Sequence, residues 1–143
     1  MAAAKAAQNW QPNTIGALVA SPANPTGEIL TRSELTELFN VVKARNGWLV
    51  VDEIYHGLTY GGVKAPSILE VTDEAFVINS FSKYFGMTGW RLGWMVAPQA
   101  AVPLLEKLAQ NFFISMSTMA QFAALAAFEP ETRRMLDERR DIF

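Results

Sequence analysis

Four short apolar runs punctuate the chain, and turn-forming or polar residues follow them. Short runs of this kind are typical of strands in an open sheet, and a continuous run predicts a strand covered on both faces. The run WLVV at 48–51 has this character most clearly, and it ends at Asp52 and Glu53. The sequence therefore predicts strands at 15–20, 48–51, 76–78 and 92–97.

A helix is predicted between the first two strands. Thr31 and Glu34 have the spacing of a capping box, in which a hydroxyl and a carboxylate each satisfy a free backbone amide. Leucine, phenylalanine and valine then recur at helical spacing over 35–42. Asn46 and Gly47 follow, and they favour the end of a helix.

Three more helices are predicted in the last third of the chain, at 103–113, 118–128 and 131–143. The last of them is strongly charged, and its spacing places Met135 on the buried side. Strands that alternate with helices indicate an α/β domain with a mainly parallel sheet between two helical layers. We therefore expect a three-layer sandwich.

Polar residues follow the predicted strands where each one ends. Asn24 comes after the first strand, Asp52 after the second, and the segment from Ser80 to Lys83 after the third. Ligands bind beyond the carboxyl ends of the strands in open α/β sheets. We therefore expect these side chains to meet in one crevice.

Composition narrows the classes of function. The chain has 143 residues, of which 50% are hydrophobic and 18% charged, and its net charge is −2. The chain lacks the excess of basic residues that would indicate nucleic-acid binding. No apolar run approaches the length of a membrane span. There is no cysteine and only one histidine, which argues against a zinc site. We expect a cytoplasmic protein.

Two interpretations of the crevice follow from residue chemistry alone. In the first, Asp52 and Lys83 form an ion pair that has only a structural role, and Arg91 is an ordinary surface residue on a turn. In the second, the forked guanidinium of Arg91 binds a phosphate together with the hydroxyls of Ser80 and Ser82. Spacing does not decide between them.

Three stretches together carry a family resemblance: SPANPTG at 21–27, VDEIYHGLTY at 51–60 and SFSKYFGMTGWRLGW at 80–94. In order and spacing they resemble the class I/II aminotransferases, which are fold-type I enzymes dependent on pyridoxal 5′-phosphate. The combination of Asn-Pro-Thr-Gly, Asp-x-x-Tyr and Ser-x-Ser-Lys with an arginine eight residues later is far more specific than any one motif. The resemblance extends over nearly the whole chain.

The resemblance implies a catalytic role for Lys83, which would form the internal aldimine with the cofactor and then move the proton of the substrate. Such a lysine must be deprotonated near neutral pH, which burial favours. Asp52 would keep the pyridine nitrogen protonated. Tyr55 and Asn24 would hydrogen-bond the 3-oxygen of the ring.

The resemblance also implies which residues bind the phosphate group of the cofactor, namely Ser80, Ser82 and Arg91. The substrates would be an amino acid and a 2-oxo acid, and the protein would be a homo-oligomer, most simply a dimer. A pyridoxal-phosphate-dependent carbon–sulfur lyase shares these motifs. So does the non-catalytic, aminotransferase-like ligand-sensing domain of some transcription regulators.

The chain is much shorter than members of this family. We therefore expect residues 1–143 to be part of the large cofactor-binding domain, with 1–14 a loose arm and 131–143 the start of the helix that leads to a small domain. Helices that lack their partners would expose apolar patches. We expect this chain alone to bind the cofactor weakly or not at all, to self-associate, and to be inactive in transamination.

The roles of a few nearby residues stay open or favour a structural reading. We expect His56 to be a loop histidine that faces solvent. Tyr84 either approaches the site or points outward. The peptide bonds that precede Pro22 and Pro25 could each be cis or trans.

Overall fold

A four-stranded sheet organises the protein, for which a computed structural model describes residues 2–143. Its strands are β1 (Gly16–Ala20), β2 (Trp48–Asp52), β3 (Phe76–Ser80) and β4 (Gly93–Val96). They lie in the order β1-β2-β3-β4. The first three run parallel, and β4 runs antiparallel to β3. The four predicted strands and the mainly parallel sheet are therefore confirmed.

Within residues 2–143, five α-helices accompany the sheet: α1 (Ala2–Asn9), α2 (Arg32–Lys43), α3 (Val102–Phe112), α4 (Thr118–Ala126) and α5 (Pro130–Ile142). Three short 3₁₀ turns lie at Ile68–Glu70, Thr88–Trp90 and Gln99–Ala101. Among the residues that the structure describes, no helix is both long and apolar enough to cross a bilayer.

Helix α2 begins and ends as its sequence predicts. Thr31 is its N-cap: the hydroxyl accepts from the backbone amide of Glu34, and the Glu34 carboxylate accepts in return from the amide of Thr31. The bonds that the Glu34 carboxylate accepts, first from the amide and then from the hydroxyl of Thr31, hold its pKa below its usual value. Asn46 takes a left-handed conformation with φ of 54° just beyond the helix, where the chain turns into β2.

The core lies between α2 and one face of the sheet. Leu35 and Leu38 of α2 are fully buried, and they belong to the same apolar cluster as Leu49, Val51 and Val77 of the sheet. This packing fixes the register of the strands, since a slip of one residue would turn each buried side chain to the other face.

The opposite face of the sheet is much more open. Leu18, Trp48 and Met95 point to that face and are 69%, 52% and 48% exposed. The expectation that β2 is covered on both faces is therefore wrong for the described residues. Helices α1 and α2 form one layer and the sheet a second, and the open face is where the third layer of a sandwich would lie.

Residues 1–14 are not simply a loose arm, because Ala2–Asn9 form helix α1. Ala3 is buried, and Ala6 and Trp10 pack against the main core. Small alanine side chains allow α1 to lie close to α2. Met1 falls outside the described residues.

The charged helix at the end of the chain is present, but its buried side differs from the prediction. Met135 is 53% exposed, whereas Leu136 is 4% exposed. The helix has only a narrow apolar stripe, so the spacing of a single methionine did not identify the inward face. That face is set by contacts of Tyr84 and Gly57 with α5.

Candidate active site

The loops that carry the predicted site residues leave the sheet at one edge. Ala20 pairs with Asp52, and Asp52 pairs with Ile78, so β1, β2 and β3 end side by side. Ser80 ends β3 and pairs with Gly93 at the start of β4. This arrangement brings together the turns after all three parallel strands, as the positions of the motifs predicted.

Asn24 and Tyr55 join the first two of these loops. The Nδ2 amide of Asn24 donates a hydrogen bond of 2.8 Å to the phenol oxygen of Tyr55. Asn24 lies on a tight loop whose start is anchored by the buried Ser21, because its Oγ accepts from the amide of Leu30. The peptide bonds before Pro22 and Pro25 are both cis.

Asp52 is half-buried at the end of β2, and its Oδ1 accepts a hydrogen bond of 3.1 Å from the amide of Ile54. Within the described part of the chain, Asp52 makes no ion pair with Lys83. The structural interpretation of these two residues as an ion pair is therefore wrong here. Both charged groups stay available to a ligand.

Lys83 lies above Tyr55, with Nζ 5.6 Å from the centroid of the aromatic ring. A cation at this distance is attracted to the negative face of the ring. The lysine is exposed, so the burial expected for it does not occur in this chain. Lys83, Tyr55 and Asn24 nevertheless form one contiguous group.

Ser80, Ser82 and Arg91 lie at the end of β3 and in the turn between β3 and β4. Ser80 Oγ accepts a hydrogen bond of 3.0 Å from the amide of Ser82. The amide of Phe81 donates to the carbonyl of Leu92, which brings the backbone next to Arg91 against the segment of the two serines.

Arg91 has an unusual backbone conformation, since its φ of 52° lies in the left-handed region. Its Nη1 donates to the carbonyl of Thr88 at 2.9 Å, and the Thr88 hydroxyl donates to the carbonyl of Ser82 at 2.7 Å. Non-glycine residues in this region carry strain that is often found at functional sites. No local pattern predicted this conformation.

Sequence reasoning missed the buried Glu53, which is 3% exposed. Its Oε1 accepts from the Ser67 hydroxyl and the Ile68 amide at 3.0 and 2.9 Å. Its other oxygen lies 3.6 Å from Nδ1 of His56. The only sequence signal was the position of this carboxylate directly after a buried strand.

His56 does not face solvent, contrary to the prediction. Its side chain is 22% exposed, and Nε2 lies 3.1 Å from the carbonyl oxygen of Ser21. A carbonyl can only accept, so Nε2 carries the hydrogen and donates. His56 therefore ties the loop of Asn24 to the loop of Tyr55.

Tyr84, next to Lys83, points into the protein. It is 8% exposed, and its hydroxyl donates a hydrogen bond of 2.7 Å to Oδ1 of Asp137 on α5. Burial raises the pKa of Tyr84 above its ordinary value of 10.0, and the bond to Asp137 raises it further. The open question about this side chain is thereby answered.

A cavity of about 910 Å³ lies beside these residues, between the loop 57–65 and helix α5. Tyr84, Asn79 and Trp94 are among the residues that line it. Asn24, Asp52 and Lys83 do not line it, so it is distinct from the predicted site. The chemistry of the side chains, rather than the volume of a cavity, therefore identifies the candidate site.

Comparison with known proteins gives a consistent result. The family model for aminotransferase class I and II matches residues 1–143. A valine–pyruvate aminotransferase of Mycobacterium tuberculosis is 42% identical over 123 residues, which cover 85% of this chain and 32% of that protein. The chain therefore spans about a third of the length of this curated relative.

Solved structures agree with the sequence match. The crystal structure of an aminotransferase from Mycobacterium tuberculosis superposes with a TM-score of 0.90 at 39% identity, covering 96% of this chain and 36% of that one. Aspartate aminotransferase from Thermus thermophilus, solved with maleate, gives 0.88 at 31% identity, with the same two coverages. All three of these proteins are named as aminotransferases. The chain belongs to the class I and II aminotransferase family.

Proposed function

We propose that this chain is part of a pyridoxal-phosphate-dependent aminotransferase, which transfers an amino group between an amino acid and a 2-oxo acid. One observation carries the proposal: the amine of Lys83 lies over the ring of Tyr55, whose hydroxyl is bonded to Asn24. The three residues come from three separate motifs and meet at the carboxyl edge of the sheet.

The donor groups at this edge fit pyridoxal 5′-phosphate. An aldehyde needs an amine, a pyridine N–H needs a carboxylate, and a phosphate needs a guanidinium and hydroxyls. Lys83, Asp52 and Arg91 supply the three charged groups, and within the described residues none of them is in an ion pair. Bound there, the cofactor would supply an electron-withdrawing ring that eases loss of the substrate α-proton.

Lys83 is the proposed catalytic residue. Its amine would hold the cofactor through the aldehyde group, and the free amine would move the proton at the substrate α-carbon. Asp52 would hold a proton on the pyridine nitrogen through its charge. Tyr55 and Asn24 would orient the ring by hydrogen bonds to its 3-oxygen.

The phosphate group is the proposed ligand of Arg91, Ser80 and Ser82. The amide of Ser82 already bonds Ser80 Oγ, which orients that hydroxyl. The guanidinium of Arg91 uses one donor on the carbonyl of Thr88 and keeps its others for phosphate oxygens. A bidentate pair of this kind fixes both position and orientation.

The chain by itself is proposed to bind the cofactor weakly and not to turn over, since it spans about a third of its relatives. Residues 1–143 would then be part of a larger cofactor-binding domain, with α5 leading into a further domain. A turnover assay with amino-acid and 2-oxo-acid pairs tests this point. Rapid turnover by the isolated chain would contradict it.

Covalent labelling tests the cofactor assignment. The chain is mixed with pyridoxal 5′-phosphate, reduced with borohydride and analysed by mass spectrometry. We expect labelling of Lys83 to exceed that of the exposed Lys107, to vanish in Lys83→Ala and to persist in Lys107→Ala. Equal labelling of both lysines would show that the reaction is not directed by the site.

A homo-oligomer is proposed on the basis of the exposed apolar residues of α4. Met119, Phe122 and Leu125 are 75%, 70% and 64% exposed. Patches of this kind mark interaction surfaces. Sedimentation velocity should show association that Phe122→Lys weakens and Lys107→Ala does not.

The cytoplasmic location is likewise a proposal, which fractionation of cells that express the full-length protein tests.

A further inference from the structure

Helix α5 is bonded to the loop that carries Lys83. The hydroxyl of Tyr84, the next residue, donates to Oδ1 of Asp137 at 2.7 Å. The same oxygen accepts from Nη1 of Arg140 at 3.0 Å. The Tyr84 side chain is nearly buried, while the Asp137 carboxylate is 48% exposed. A phenylalanine would fill the same space, so the hydroxyl serves the bond to Asp137 specifically.

The ring of Tyr84 also packs on the loop that carries Tyr55. Gly57, two residues after Tyr55, has φ of +89°, and a Cβ there would lie 2.7 Å from the Tyr84 ring. The ring therefore rests directly on the backbone of Gly57. Arg140 closes the arrangement, because its Nη1 lies 3.4 Å from the carbonyl oxygen of Gly57.

A third contact reaches the turn just after Lys83. A Cβ on Gly86 would lie 2.5 Å from Nη2 of Arg139, so that guanidinium packs against the turn. The amide of Gly86 donates to the carbonyl of Lys83 at 2.9 Å. The amide of Met87 donates to the carbonyl of Phe81, also at 2.9 Å. Because the turn is tight, a displacement of Tyr84 also displaces the adjacent Lys83.

We infer that Tyr84 is a positioning residue for Lys83, which it holds over the ring of Tyr55 by joining the lysine loop to Asp137 of α5 and to Gly57. The inference rests on the proposed cofactor role of Lys83. It predicts that the position of α5 controls the reactivity of the amine. Tyrosine suits this role, because a rigid ring with one polar tip loses little conformational entropy when it is fixed.

The first test needs no cofactor. The chain is treated with limiting acetic anhydride, and the acetylation rate of Lys83 relative to Lys107 is measured by mass spectrometry. In Tyr84→Phe we expect the ratio to rise about fivefold, the equivalent of one net hydrogen bond, because the amine is freed from the Tyr55 ring. Tyr60→Phe, which alters an exposed tyrosine, should leave the ratio unchanged.

The second test uses pyridoxal 5′-phosphate as the probe. Its dissociation constant should rise about fivefold in Tyr84→Phe. It should rise less in Asp137→Asn, which retains an oxygen that can accept from Tyr84. Tyr60→Phe is again the control. Urea unfolding of each variant checks that the dissociation constants belong to folded chains. If Tyr84→Phe does not fold, Asp137→Asn takes its place in the comparison.

The outcomes separate this inference from the proposed function. If the probe does not bind the wild type at Lys83, the cofactor assignment fails, and the acetylation ratio alone decides the role of Tyr84. If the probe binds and both the ratio and its affinity are unchanged in Tyr84→Phe, the inference is overturned and the cofactor assignment stands. An altered ratio with unchanged affinity supports the positioning role, since the first test measures the position of the Lys83 amine without the cofactor.

Discussion

Asn24 and Tyr55 lie 31 residues apart in the chain, and the amide of the first donates a 2.8 Å hydrogen bond to the phenol oxygen of the second. This bond links the loops after β1 and β2 at the place where Lys83 approaches from the loop after β3. Because both side chains are partly accessible to water, the bond organises the site more than it stabilises the fold.

The Asn24–Tyr55 bond should be measurable by a double-mutant cycle of Asn24→Ala and Tyr55→Phe. We expect a coupling free energy of about 0.5–1 kcal/mol in urea unfolding, the range of a neutral hydrogen bond. The pair Asn24→Ala and Tyr60→Phe should be additive. A coupling near zero for Asn24 and Tyr55 would show that the bond does not persist in solution.

Glu53 should be important for stability rather than chemistry. Glu53→Leu leaves the buried amide of Ile68 without its acceptor, so we expect the free energy of unfolding to fall by about 2–3 kcal/mol. Glu53→Gln retains an acceptor oxygen and should lose less than half as much. Equal losses in the two variants, measured by urea unfolding, would contradict this account of the carboxylate.

The core between α2 and the sheet should depend on Leu38, which is fully buried. Leu38→Ala should lower the free energy of unfolding by about 2–5 kcal/mol, because it removes buried methyl groups and leaves a cavity. Leu104→Ala, at a residue that is 67% exposed, is the matched control and should change stability by less than about 0.5 kcal/mol. Similar losses in both would mean that α3 is covered in solution.

Tyr84 should make stability dependent on alkaline pH. Its folded pKa is raised above the ordinary value of 10.0, first by burial and then by Asp137, while Arg133 and Arg140 oppose the rise. The contribution of protonated Tyr84 to the free energy of unfolding is therefore fully present below about pH 10. This contribution is lost as the pH rises through the pKa of Tyr84 in the folded state.

The stability advantage of wild type over Tyr84→Phe should accordingly shrink as the pH increases from about 8 to 11, as measured by urea unfolding. Tyr60→Phe should keep a constant difference from wild type over the same range. An advantage of wild type that grows with pH would reverse the sign and contradict the raised pKa of Tyr84.

Local sequence predicted much of the fold, because the signals involved act over a few residues. The capping box of Thr31 and Glu34 satisfies neighbouring amides and needs no distant partner. Short apolar runs gave all four strands. The buried side of α5 was missed, since one apolar residue on a charged helix leaves Met135 and Leu136 equally plausible until a partner surface exists.

The sequence also determined where the site would form, since parallel strands end at the same edge and their motifs must follow them there. Asn24, Asp52 and Lys83 were placed together on this ground alone. Tertiary structure decided the contacts of His56 with Ser21 and of Tyr84 with Asp137, which is 53 residues further along the chain. Such contacts depend on how whole elements pack, and no local pattern encodes the distance between two surfaces that meet only in the folded chain.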